Sequence, residues 1–124
     1  MNRFNRDLEA KLAEAQRQGR KSQVQTVRLS SSLLEARLRG TGGDAATTRK
    51  ALHDLERLLE ELRRRGPVVL ELEARLAIGE LGMQSGRADA PAILDALEKE
   101  TAQKGFGLIS RKAAAARVIR SASR

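Results

Sequence analysis

Glycine and proline cut this 124-residue chain into a row of stretches that each have the length of one helix. The breaks fall at Gly19, at Gly40 with Gly42 and Gly43, at Gly66-Pro67, at Gly86 and at Gly105. Inside a helix a glycine costs about 1 kcal/mol against alanine and a proline about 3 kcal/mol, so such residues collect where helices end. The residues between the breaks repeat at helical spacing. Leu8, Leu12 and Ala15 predict a first helix over 3–18, closed by Arg17-Gln18-Gly19. Ser22 with Gln25 reads as a capping box, and Val24, Val27, Ser31, Leu34 and Leu38 predict a second helix over 22–39 with those residues inward. Past the loop from Gly40 to Asp44, the stripe Ala51, Leu52, Leu55, Leu58, Leu59 and Leu62 predicts a third helix ending at Arg63-Arg64-Arg65-Gly66.

Pro67 suits the first turn of a fourth helix, whose stripe Val69, Leu72, Leu76, Gly79 and Met83 runs up to Ser85-Gly86. Ala90, Ile93, Leu94 and Leu97 mark a fifth, with Pro91 confined to its first turn, and Phe106, Ile109, Ala113 and Ala116 a sixth. Gly79 and Gly82 sit inside the fourth helix, which points to close approach of the fifth. Leu55, Leu58, Leu62, Leu72, Leu76, Leu94 and Leu97 are expected to form one continuous core. The fold class is all-α, in about six helices, with no strands expected from a chain that has only two aromatic residues, both Phe.

Much chemistry is excluded by composition. The chain has no Cys, which removes disulfides, thiolate metal sites and cysteine nucleophiles, and its single His is His53, beside Leu52 but off the apolar stripe. No residues have the spacing of a nucleophile with its base, of paired carboxylates or of a phosphate-binding loop; Gly40-Thr41-Gly42-Gly43 lacks the Lys that would follow in one. The expectation is therefore a protein without enzymatic activity, cofactor or metal. No stretch has the 18 or so apolar residues of a membrane span and the start lacks a signal-peptide core, so a cytoplasmic location is expected. Net charge is +8, unevenly placed: +5 over residues 1–40, −1 over 41–86 and +4 over 87–124. A surplus of that size favours polyanions. The missing Trp and Tyr remove the stacking platforms that single-strand binders use, which leaves a basic adaptor for RNA or DNA as the alternative rather than the leading reading.

The segments also resemble one another. Leu34-Glu35-Ala36-Arg37-Leu38 returns 38 residues later as Leu72-Glu73-Ala74-Arg75-Leu76, and Gly66 and Gly105 lie 39 apart. This divides a single domain, 1–124, into a half repeat 1–19, two helical-hairpin repeats 20–66 and 67–105, and a half repeat 106–124. The stretch Ala74 to Leu97, with Ile78-Gly79 in one helix, Gly86 at the turn and Ala90 with Leu94 in the next, resembles a tetratricopeptide repeat. The run through Lys104-Gly105-Phe106 and Ile109 to Ala113 is similar to divergent repeat tails of multidomain bacterial regulators. Gly82 stands where that family usually has an aromatic, and Gly105 replaces its terminal Pro. The resemblance implies antiparallel hairpins stacked as a short right-handed solenoid that acts as a protein-protein interaction scaffold. It also implies that the first helix of each hairpin lines the binding side, which nominates Gln23, Arg28, Glu35, Arg75 and Glu80 for contact with a partner protein or neighbouring domain. Phe106, Ile109, Val118 and Ile119 spread over more of the last helix than one neighbour would cover, and nominate it for homo-oligomer contacts.

Overall fold

A computed structural model of the chain describes residues 3–122, with side chains as far as Val118. It is all-helical: α1 Arg3–Gly40, α2 Ala45–Arg65, α3 Val68–Ser85, α4 Ala90–Lys104 and α5 Gly107–Ala122, with no strand among the described residues. Five helices stand where six were expected, because the first two are one. Gly19 does not stop α1; its backbone is not in the left-handed region, and a Cβ built there would meet nothing. One interior glycine costs about 1 kcal/mol. Ending a helix there and starting another would strand four carbonyls and four amides without intrahelical partners. Arg17, Gln18, Arg20 and Lys21 are good helix formers and carry the helix through.

The other breaks end helices as expected, with Pro67 at the N-cap of α3 rather than inside its first turn. Gly86 and Gly105 take φ of +77° and +84°, a region closed to most side chains. Each closes a Schellman motif: the Arg87 amide donates to the Gly82 carbonyl at 2.8 Å, and the Phe106 amide to that of Thr101 at 2.8 Å. Asp44 caps α2, its carboxylate accepting from the Thr47 amide at 2.8 Å.

Neighbouring helices pack in sequence order, and α3 in addition touches α1 and α5, so it meets every other helix. It is buried on nearly all sides. Ala74, Ala77, Ile78 and Leu81 join Leu29, Leu33, Leu52, Leu55, Leu58 and Leu62 in one core cluster, between α1, α2 and α3. Leu72 and Leu76 join Leu94, Leu97, Ile109 and Ala113 in a second, between α3, α4 and α5. The seven leucines expected to make one core are all buried, but they divide between these two clusters. Small residues let the layers close: a Cβ on Gly79 would overlap the Leu94 side chain, lying 2.7 Å from its Cγ, and one on Gly82 would lie 2.9 Å from the Ala90 Cβ.

The inward face of α1 is not the expected one. Leu29, Leu33, Ala36 and Gly40 are buried, whereas Val24, Val27, Ser31, Leu34 and Leu38 are exposed. The two seams are offset by two residues, about 200° around a helix, so they lie on nearly opposite sides. Both are spaced for burial, and the small residues decide between them. A Cβ on Gly40 would sit 2.5 Å from Leu81 Cδ1 and 3.1 Å from the Ala51 Cβ, an approach that the Leu38 side chain would block.

Replacing Leu76 with Ala should therefore cost roughly 2–5 kcal/mol. Leu34→Ala, on the exposed seam, should stay within about 0.5 kcal/mol. Gly79→Ala should destabilise by about 1–3 kcal/mol through overpacking on buried Leu94, although helix propensity alone favours the change. Chemical denaturation of the three variants checks the ranking, and a stabilised Gly79→Ala would contradict the packing described.

Candidate interaction surface

Of the five nominated partner-binding residues, the fold groups three. Gln23, Arg28 and Glu35 lie beside the exposed seam of α1, within one or two positions of Val24, Val27 and Leu34. Arg28 reaches Glu61 of α2 at 2.5 Å, and Glu35 pairs with Arg39, which also meets Asp54 at 3.2 Å. Arg75 and Glu80 belong to α3 and are half-buried. They tie α3 to its neighbours, Arg75 to Glu100 of α4 and Glu80 to Arg37 of α1, the latter at 2.9 Å. Of the residues nominated on the last helix, Ile109 is buried in the second core cluster and Phe106 packs against it, because α5 is covered by both α3 and α4. Val118 is exposed, and the side chain of Ile119 lies outside the described residues.

Sequence periodicity missed the surface that α1 creates by continuing past the body. From Arg3 to Val24 every residue is exposed, including Phe4, Leu8 and Leu12. Where this arm meets the body, Arg17, Arg20, Lys21, Val24, Gln25 and Arg28 converge with Arg65 from the end of α2 around an open groove of about 600 Å³. Arg17 pairs with Glu14 and Arg28 with Glu61, but among the described residues Arg20, Lys21 and Arg65 have no carboxylate partner. The signal was present in the sequence as Arg63-Arg64-Arg65, which on sequence grounds reads first as three cations favoured by the helix dipole. A second cleft, of about 390 Å³, opens between α2 and α4. Leu59, Ile78 and Ile93 line it, and the ion pair of Arg87 with Glu56, at 2.6 Å, crosses its edge. His53 is exposed on α2, and no group of three or more His, Asp or Glu among the described residues is placed to hold a metal. None of the described helices is long and apolar enough to cross a membrane.

Comparison of the chain with protein-family models, curated proteins and solved structures found no match.

Three carboxylates are held below their ordinary range: Glu14 on the arm, by hydrogen bonds from Gln18 and Arg17, and Asp44 and Glu100 in the body. Hydrogen bonding from Arg75 lowers the Glu100 carboxyl, and the Thr47 amide lowers that of Asp44. A depressed carboxylate binds its proton more readily in the unfolded chain, so the stability it contributes is present above the ordinary pKa and is lost as pH falls through the folded one. Wild-type protein should lose melting temperature on acidification below the ordinary values, 4.5 for the glutamate and 3.8 for the aspartate, more steeply than Glu100→Gln or Asp44→Asn. Thermal melts across that range check this; parallel pH profiles for wild type and both variants would contradict it.

Proposed function

We propose that the chain is a non-catalytic interaction module: a short tetratricopeptide-like stack of helical hairpins whose outer α1 face receives a helix of another protein or of an adjoining domain. The observation that carries this reading is the seam Val24, Val27, Leu34 and Leu38, exposed by 70%, 64%, 59% and 67%. Four large apolar side chains, spaced 3, 7 and 4 along one helix with exposed Ser31 between Val27 and Leu34, are the pattern that an amphipathic partner helix reads. Gln23, Arg28 and Glu35 supply the polar flank that sets register. The adjacency of α1, α3 and α5, each joined to the next through α2 or α4, supports the repeat-like arrangement. A repeat tail of a larger cytoplasmic bacterial regulator is the setting that the sequence resemblance suggests.

A photo-crosslinking residue at Val27 or Leu34 should capture a protein partner in the native cell. Val27→Glu with Leu34→Glu should abolish that capture without lowering the melting temperature, since both side chains are exposed. Charge reversal at Arg57 and exposed Glu60 of α2 should leave capture intact; loss there, with the Val27/Leu34 double variant still active, would move the binding face.

A second reading, a basic adaptor for RNA or DNA, is favoured by the convergence of Arg20, Lys21 and Arg65. It requires binding that weakens steeply with added salt, and absence of binding at low salt would remove it.

A further inference from the structure

We propose that two copies of the chain associate through their α1 arms, as an antiparallel pair of helices over residues 3–24. The surface is distinct from the Val24–Leu38 seam and does not depend on its reading. Asn5, Leu8, Leu12, Ala15, Gly19 and Ser22 recur at alternating spacings of 3 and 4, and the same spacing continues into Thr26, Leu29, Leu33, Ala36 and Gly40. The second half of that seam is the face α1 buries within its own chain, where α2 and α3 cover Leu29, Leu33, Ala36 and Gly40. The first half continues it with a drift of about 20° per seven residues, so Leu8 and Leu12 lie about 60° around the helix from Leu29 and Leu33; they are exposed by 51% and 60%. The arm is thus the continuation of a packing face beyond the point where its own body ends.

A second copy can pack on this face with its leucines set against small residues. If the arms run antiparallel with Leu12 at the level of Ala15 of the other copy, Leu8 falls opposite Gly19 and Asn5 opposite Ser22, so each leucine meets a small residue. At Gly19 nothing lies within 4 Å of a built Cβ, so the space there is open to an incoming leucine. The same register places Arg3 of one arm at the level of Val24 of the other. That is the last residue of the continuous exposed run, with half-buried Gln25 and Thr26 beyond it. The overlap therefore uses the whole exposed run of the arm, about 33 Å at 1.5 Å per residue, and its last two turns, from Arg17 to Val24, run beside Arg65 at the end of α2. At the flanks Glu9 lies near Gln16 of the other copy and Lys11 near Gln18, while Asp7 comes level with Arg20 and Arg6 with Lys21. Parallel pairing would bring the two cationic junctions of Arg20, Lys21, Arg28 and Arg65 side by side, whereas antiparallel pairing sets them at opposite ends. Such a seam engages about a dozen residues a side, roughly half of a standard interface, so the dimer is reversible and concentration-dependent rather than obligate.

The absence of cysteine makes the register directly testable in the full-length chain. Sedimentation equilibrium should show a monomer–dimer exchange. Leu8→Asp with Leu12→Asp should raise the dissociation constant by roughly tenfold or more without changing the melting transition of the body. Under mild oxidation a mixture of Leu8→Cys and Gly19→Cys chains should form the mixed disulfide. Leu8→Cys alone should not, since its two sulfurs would lie eleven residues apart along the seam. A chain monomeric at all accessible concentrations, a dimer indifferent to the two aspartates, or efficient crosslinking of Leu8→Cys with itself would each overturn the proposal.

Discussion

Everything in this fold depends on the thinness of α3. It touches all four other helices, and four neighbours can close on one helix only if much of its surface is small. Ala74, Ala77, Gly79 and Gly82 provide that, leaving Leu72 and Leu76 to fill one side and Ile78 and Leu81 the other. The glycines weaken α3 as an isolated helix by about 1 kcal/mol each. Contact of α4 with its backbone offsets that loss, since Leu94 and Ala90 occupy the space that side chains at Gly79 and Gly82 would take. Because α3 divides the interior, the protein has two modest cores rather than one large one.

The helix ends were legible because each was written in local chemistry. Gly86 and Gly105 hold conformations that other residues rarely adopt, and Asp44 supplies a cap three residues before the amide it satisfies. Gly79 and Gly82 were legible for a related reason: interior glycines need a compensating contact, and α4 is the neighbour nearest in sequence. Gly19 carried the same letter without the same role. It has no capped start after it in the structure and no contact to serve within the chain, so helix propagation wins.

The inward face of α1 was not legible, and the cause is geometric. Val24, Val27, Ser31, Leu34 and Leu38 match a helical period as well as Leu29, Leu33, Ala36 and Gly40 do. Hydrophobic spacing cannot rank two seams on opposite sides of one helix. What decides is the size of the side chain where three helices converge, at Gly40 beside Leu81 and Ala51, and that convergence is a tertiary fact. The same error hid the proposed binding surface: residues assigned to the core are the ones that face outward. Arg75 and Glu80, nominated by repeat position, are instead drawn into pairs with Glu100 and Arg37 that hold the hairpins together.

The central claim is that α1 has one face committed to the body while its arm and outer seam are free to bind. Amide hydrogen exchange along the full chain, at several protein concentrations, tests it most directly. Amides over 29–40 and 72–83 should exchange only with global unfolding at every concentration, while those over 3–24 should exchange fast in dilute solution and slow as concentration rises. Arm amides as protected as α3 in dilute solution, or fast exchange over 29–40, would contradict it.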